Sequence, residues 1–285
     1  MEIRSLAGCD FDTLFRAFER AFSDYAISFD KAEVRSMLTR RGYVPHLSFG
    51  AFDGDDLVAF TLNGIGEYDG ILTAYDTGTG TAAEYRGLHL ASEIFQRSLP
   101  ALRAAGIRQY LLEVLQENAK AISVYTKLGF EVTREFECFR QSLSEIRNSN
   151  TNSADIEIKP IDIETVRCAQ TFCDFTPSWQ NSMESIKRGS AQLSCIGAFQ
   201  QGELAGFCVF DPSTGDLTQI AVDRKYRRKG IASQLLSRII PLFHTEHIKV
   251  LNICAHHTAL IAFLESKNIA RAAAQYEMRK SLSNF

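Results

Sequence analysis

The sequence predicts an α/β protein of two tandem domains, each a mixed central sheet flanked by helices. Three observations lead there. The chain has 285 residues, about 1.9 domains at roughly 150 residues each. Short motifs recur in the same order in the two halves, which is the signature of a repeated fold. Within each half, apolar runs of strand length alternate with stretches whose apolar residues return every three or four positions. The composition agrees: 45% apolar and 23% charged residues exclude the disordered, collagen-like and coiled-coil classes.

The repeat can be read residue by residue. Phe22-Ser23-Asp24-Tyr25 is echoed 150 residues on by Phe172-Cys173-Asp174-Phe175, and Phe29 by Trp179 at the same offset. Gly50-Ala51-Phe52 returns as Gly197-Ala198-Phe199 at an offset of 147, and Tyr85-Arg86 and Pro100 return as Tyr226-Arg227 and Pro241 at 141. Phe139-Arg140-Gln141-Ser142-Leu143 returns as Met278-Arg279-Lys280-Ser281-Leu282 at 139. The shrinking offset describes two copies of one fold, the second shortened by small loop deletions. Between them, residues 146–154 are rich in Asn and Ser and nearly free of large apolar groups, which is linker composition. The expected organisation is a first domain over 1–145, a linker over 146–154 and a second domain over 155–285.

In the first copy, Phe11, Leu14, Phe15, Phe18 and Phe22 form the stripe of an amphipathic helix. Leu47–Phe52 and Leu57–Leu62 read as strands joined by the turn Asp53-Gly54-Asp55. A third strand spans Ile71–Thr81 and a helix runs from about Leu88 to Ala104, with Pro100 as a kink. A strand at Tyr110–Leu115, a helix at Asn118–Leu128 and a strand at Phe130–Phe139 complete the copy. The second repeats the order with Ser194–Phe199, Leu204–Phe210, Asp216–Val222, the helix Ile231–Phe243, the strand Val250–Cys254, the helix Thr258–Lys267 and a last strand.

Charge narrows the partners. Lys plus Arg is 31 and Asp plus Glu is 34, a net charge of −3 with a pI of about 6.1. That balance leaves no general basic footprint for nucleic acid or an anionic membrane, so the expected partner is a small molecule or peptide. No window of 18 or more uncharged apolar residues and no signal-peptide core occurs, so a cytoplasmic protein is expected. Seven cysteines without a C-x-x-C pair read as free thiols. His244, His247, His256 and His257 match no familiar zinc spacing, and no metal is expected.

The strand-to-helix junctions carry the chemistry, because a helix N-terminus presents unpaired amides and a positive dipole end to a phosphate. In the second copy the strand ending Ala221-Val222 leads to Arg227-Arg228-Lys229-Gly230-Ile231-Ala232, which fits Q/R-x-x-G-x-G/A. Gly230 lets a pyrophosphate approach the backbone, Ala232 allows close helix packing, and Arg228 and Lys229 add charge. Here the sequence resembles the GNAT superfamily of acetyl-CoA-dependent N-acetyltransferases, and it does so once per copy over nearly the whole chain. In the first copy the corresponding loop is Arg86-Gly87-Leu88-His89-Leu90-Ala91, with His89 where the family prefers Gly. By similarity, Thr79-Gly80-Thr81 on the preceding strand pairs with the pantetheine arm. Asn118-x-x-Ala121-x-x-x-Tyr125-x-Lys127-x-Gly129-Phe130 resembles the next motif of the family, whose Asn contacts the coenzyme and whose Tyr protonates the departing thiolate. A phenol, with a pKa of about 10 against about 8.5 for a thiol, suits that task.

In the second copy Tyr125 falls on Leu264 and Asn118 on His257. One copy therefore keeps the acid with an altered loop, the other keeps the loop without the acid. The first copy is expected to be catalytic and the second degenerate or regulatory. Asp76 and Glu113, on the two strands flanking the acetyl group, are alternative general bases. Asp24, Tyr25 and Phe29 occupy the region that in this superfamily covers the acceptor, and their acidic and aromatic character suits a cationic amine. The expected function is transfer of an acetyl group from acetyl-CoA to a primary amine of a small molecule or peptide. The alternative is a non-catalytic acyl-CoA-binding module.

Overall fold

In the computed structural model of the chain, residues 1–24, 30–147 and 155–283 are described. Two compact units emerge, one made of Met1–Thr133 with Tyr276–Phe285 and the other of Arg134–Gln275. In chain order the first carries β1 (Glu2–Ser5), α1 (Phe11–Ala21), α2 (Lys31–Arg41), β2 (Phe49–Asp53), β3 (Asp56–Tyr68), β4 (Ile71–Thr81), α3 (Leu90–Ala104), β5 (Gln109–Leu115) and α4 (Ala119–Lys127). Then follow β6 (Glu131–Ser142), β7 (Ile156–Pro160), α5 (Ile163–Cys168), α6 (Met183–Arg188), β8 (Ser194–Gln200), β9 (Glu203–Asp211), β10 (Asp216–Val222), α7 (Ile231–Ile239), β11 (His247–Cys254), α8 (Thr258–Ser266) and β12 (Ala270–Ser281).

The first unit orders its strands β1-β2-β3-β4-β5-β12, the second β6-β11-β10-β9-β8-β7. Counted from β1 and from β7, the pairs are antiparallel up to the fourth strand, which then runs parallel to the next, β4 with β5 and β10 with β11. These parallel pairs are short. β4 and β5 pair at Thr73–Gln109, Ala74–Tyr110 and Tyr75–Leu111, and β10 and β11 only at Asp216–Lys249. Beyond those positions the two strands part. A bulge marks the same place in each copy, where the register of β3 with β4 shifts between Leu62 and Asn63 and that of β10 with β9 between Leu217 and Gln219. The extra residues are Thr77 and Thr218, and a bulge re-aims the side chains beside it.

The compact units differ from the expected 1–145 and 155–285 division in their last strand. Beside β5 lies β12, with the Leu282 amide bonded to the Arg108 carbonyl at 2.8 Å. Beside β11 lies β6, with the Leu143 amide bonded to the Glu246 carbonyl at 2.8 Å. The two strands carry the matching sequences Phe139–Leu143 and Met278–Leu282, so each presents an apolar anchor that suits the same slot. Met278 and Leu282 are buried in the core of the first unit, whereas Phe139 is buried in that of the second.

Local chemistry explains most elements. α1 buries Leu14, Ala17, Phe18 and Ala21 on one stripe and is capped by Asp10, whose side chain accepts the Thr13 amide. α2 lacks such a stripe, burying only Val34 and Leu38, and its start rests on a capping box between Asp30 and Glu33. The end of α2 lies hard against β3: a Cβ on Gly64 would stand 2.1 Å from the Arg41 carbonyl oxygen. Only glycine permits that approach, which sets Arg41 beside the bulge. Pro100 is accommodated inside α3 without ending it.

Candidate active site

In the first unit, β4 stays bonded to β3 through Thr81 but leaves β5 after Tyr75. The first residue past the parting is Asp76. Its carboxylate accepts the Gly78 amide at 2.9 Å, the Thr79 hydroxyl at 2.7 Å and the Tyr125 hydroxyl at 3.3 Å. Burial pushes the Asp76 carboxyl up to about 6, against the pull of Thr79, the Gly78 amide, Tyr125 and the Arg41 charge. Tyr125 arrives from α4, its ring edge-on to Phe130 with centroids 5.7 Å apart. An ionised carboxylate of raised basicity and a phenol thus share one hydrogen bond at the opening between two strands, the combination that proton transfer at neutral pH requires.

Glu113 lies elsewhere in the network. It accepts the hydroxyl of Tyr75 at 3.0 Å, and burial pushes that phenol well above its ordinary value. Asn118 caps α4, its Oδ1 accepting the Ala121 amide at 3.1 Å. Three contributors carried no sequence signal. Arg41 donates to the carbonyl of Thr77 at 2.8 Å, but α2 shows no apolar period to locate it. Tyr110 donates to Asn63 and stands close enough to Asp76 and Tyr125 to feel their charge. The Thr79 hydroxyl, on the strand expected to pair with coenzyme through its backbone, is bonded to Asp76.

The loop into α3 has the same backbone path in both copies. Gly87 and His89 adopt left-handed φ values of 85° and 59°, and their counterparts Arg228 and Gly230 adopt 64° and 82°. Glycine occupies the first left-handed position in one copy and the second in the other. His89 therefore keeps the path that Gly230 takes, at a cost on the order of 1 kcal/mol for a side chain in that region. The helix that follows presents its first amides in both copies, with Leu90 and Ile231 buried beneath and Ala91 and Ala232 half-buried. Gly87, Leu88 and His89 are exposed, as are Arg228 and Lys229.

The first arginine of each loop is paired with an aspartate of its own unit. Arg86 grips Asp24 with both terminal nitrogens at 2.6 and 2.9 Å, the Ala21 carbonyl at 2.9 Å and the Thr81 carbonyl at 3.2 Å. These bonds from Arg86 hold the Asp24 carboxyl down at about 2. Arg227 repeats the arrangement with Asp174 at 2.9 Å, the Phe172 carbonyl at 3.2 Å and the Val222 carbonyl at 2.9 Å. Both arginines were expected on the coenzyme and Asp24 on the acceptor; in the structure each arginine is engaged with an aspartate. Tyr25 and Phe29, the other two expected acceptor residues, lie outside the described residues.

The second unit holds a cavity of about 600 Å³. It reaches from Arg228 and Gly230 at the start of α7 to Leu217, Val250 and Ile253 between the parted strands. Among the described residues, no group of three or more His, Cys, Asp or Glu side chains is placed to hold a metal, and no helix is long and apolar enough to cross a membrane.

The model of the acetyltransferase (GNAT) family matches residues 11–130 and again 164–268. The chain belongs to the GNAT family. Its two tandem GNAT domains are those of the repeat. N-alpha-acetyltransferase 30 of Schizosaccharomyces pombe is 31% identical over 105 residues, covering 35% of this GNAT chain and 70% of that protein. N-alpha-acetyltransferase MAK3 of Arabidopsis thaliana is 29% identical over 102 residues, 35% of this chain and 54% of the plant protein, so the match spans about half of that relative. In fold, the GNAT chain is similar to a GCN5-related N-acetyltransferase from Sphaerobacter thermophilus, with a TM-score of 0.75 at 12% identity over 99% and 96% of the two chains. It is equally similar to a tandem GNAT protein from the clavulanic acid biosynthesis pathway, with a TM-score of 0.73 at 12% identity over 100% and 99%.

Proposed function

We propose that the first unit transfers an acetyl group from acetyl-CoA directly to a primary amine, with Asp76 as general base and Tyr125 as general acid. The observation that carries this reading is their shared hydrogen bond of 3.3 Å at the parting of β4 and β5. The coenzyme fits the same place: Gly87 has nothing within 4 Å of where a Cβ would stand, and the loop it opens ends at the free amides of α3. Asn118, Leu90 and Ala91 would line the coenzyme from the two helix starts, and the β5-facing edge of Thr79–Thr81 would meet the pantetheine arm.

The proton balance closes within the pair. The amine nitrogen attacks the thioester carbonyl and gives its proton to Asp76. The C–S bond breaks and the leaving sulfur takes the proton of Tyr125. The proton on Asp76 then crosses the shared bond to the phenolate, which restores both groups. Arg41 and the Gly78 amide steady the carboxylate, and Glu113, bonded to Tyr75, serves as a positioning residue. The names of the curated relatives favour a peptide α-amine as the acceptor among primary amines. Steady-state kinetics of Tyr125→Phe test the assignment: kcat falls by about 10²–10⁴ with acetyl-CoA affinity unchanged, and a variant turning over at the wild-type rate removes the role.

A further inference from the structure

The two units differ at their centre in a way that a shared fold does not explain. The second keeps the bulge, the parting of β10 from β11, the left-handed loop path and the arginine–aspartate pair of the first. Four side chains do not carry over. Phe210 faces Leu217 beside the bulge where Asn63 faces Asp76. Asp216 pairs with Lys249 as Tyr75 pairs with Leu111, which puts Ile248 in the place of Tyr110. Leu264 takes the place of Tyr125. Phe210, Leu217, Ile248 and Leu264 are all buried in one apolar cluster. Asn63 and Tyr110 are thus lost together with the proposed base and acid, whereas the features that shape the strands and the loop stay.

In the first unit these residues share one face of the sheet. Asn63 on β3 is paired directly with Asp76 on β4, so their side chains are cross-strand neighbours. Ala74, two residues before Asp76 and therefore on the same face, is paired with Tyr110 on β5. From β5 the Tyr110 side chain crosses β4 beside this small residue, and its hydroxyl donates to Asn63 on β3. Phe95 and Phe130 stand edge-on to the Tyr110 ring, with centroids 5.1 and 5.6 Å away, and fix its plane. Asn63 and Tyr110 are both fully buried.

Asn63 is pinned in this arrangement from every side. Its Nδ2 donates to the Leu47 carbonyl at 2.6 Å, its amide donates to the Ser48 hydroxyl at 2.8 Å, and its carbonyl accepts the Val44 amide at 2.9 Å. With Nδ2 spent on Leu47, the side chain turns its Oδ1 to Tyr110, and an amide oxygen can only accept. The phenol has one proton and gives it to Asn63, so it has none for Asp76, whose charge it nonetheless feels. Asp76 accepts two donors on Oδ2, from Thr79 and Tyr125, and one on Oδ1, from the Gly78 amide. A carboxylate offers about four acceptor sites, which leaves one on Oδ1.

We infer that Asn63 is a positioning residue for the base: by holding the Tyr110 hydroxyl on its own oxygen, it keeps the last acceptor site of Asp76 open for the proton of the amine. Released from Asn63, the phenol would turn to the neighbouring carboxylate and fill that site. The inference rests on the reading of Asp76 as the general base. The other titratable and charged groups around Asp76 are Tyr125 of α4, Arg41 of α2 and Tyr75 of β4, with Glu113 of β5 bonded to Tyr75. All of them are present in each variant that tests Asn63.

Carboxyl-carbon NMR of Asp76 in the full chain follows the site directly. The wild-type group titrates at about 6. In Asn63→Leu the released hydroxyl donates to Asp76, and the titration should fall to about 5, because a hydrogen bond to the charged form favours that form. A leucine acting only as an apolar filler would push the carboxyl up, so the sign of the change separates the two. Adding Tyr110→Phe to Asn63→Leu should return the titration to about 6. Turnover should follow: Asn63→Leu lowers kcat about tenfold with the KM for acetyl-CoA unchanged, and the double variant recovers it. Tyr110→Phe alone removes one oxygen, leaves the Leu47 carbonyl its partner, and should titrate at about 6. An Asn63→Leu value at or above that of the wild type, a double variant that stays low, or a Tyr110→Phe value above that of the wild type overturns the inference. Failure of the base reading looks different: Asp76→Asn would turn over at the wild-type rate even though the titrations move as expected.

Discussion

Replacing Asp76 with Asn tests the site through two independent observables. In the wild type the carboxyl, raised to about 6, must be ionised to accept a proton from the amine. The kcat/KM profile should therefore fall about tenfold per pH unit below that value. Asp76→Asn removes the base, lowering kcat/KM by about 10²–10⁴, and the acid limb near pH 6 should disappear from the residual rate. Stability should move the other way. The carboxyl rises from 3.8 to about 6 on folding, so between those values the folded chain binds more protons than the unfolded one. Stability consequently declines as pH rises through that window, by about 3 kcal/mol at 1.36 kcal/mol per unit. Asn retains an oxygen for the Gly78 amide, and the Thr79 and Tyr125 hydroxyls can rotate to accept from its NH₂. The variant should then be as stable as the wild type at pH 7.5 or more so, by up to about 3 kcal/mol, with no decline between pH 4 and 6 from this group. Denaturant unfolding across pH, paired with the rate profile, checks both. An acid limb that persists near pH 6, or an Asn variant less stable than the wild type at pH 7.5, refutes the reasoning.

Further expectations follow from single residues. Gly64→Ala sets a Cβ 2.1 Å from the Arg41 carbonyl and should cost at least about 1–3 kcal/mol, with activity lost alongside stability as Arg41 is pushed off Thr77; equal unfolding midpoints would contradict it. At the left-handed position of His89, stability should rank Gly above His above Val, with steps of about 1 kcal/mol, and any other order in chemical denaturation contradicts the conformation. Arg86→Ala removes the bonds that hold the Asp24 carboxyl at about 2, so its titration, followed by carboxyl-carbon NMR, should return to the ordinary carboxylate range.

Much of each domain was legible because it is written in local patterns. The stripe from Phe11 to Phe22 yields α1 at Phe11–Ala21, and the β-rich run Ile71–Thr81 is β4 residue for residue. α2 escaped because its burial is confined to Val34 and Leu38, too sparse to form a stripe. β1 escaped because it is only four residues long. At the site, the motif spacing singled out Tyr125 and the strand assignment singled out Asp76, but nothing local joined residues that lie 49 positions apart. Arg86 illustrates the converse: its place in the loop before α3 says nothing of the Asp24 carboxylate 62 residues away that it grips.

The sequence by itself determined the doubling, the order of elements in each copy, the two glycine-bearing loops before α3 and α7 and the leucine at 264 where the first copy has a tyrosine, all of which depend on residue identity and short spacing. Tertiary structure alone decided which final strand completes which unit, because β6 and β12 carry matching apolar patterns and a period-two signal does not distinguish their partners. It also decided the Asp76–Tyr125 pair and the bonds that tie Ser178 and Asn181 to β10 and β11. Each depends on polar groups brought together across long stretches of chain, and the energy of such a hydrogen bond depends on distance in space and is indifferent to distance in sequence.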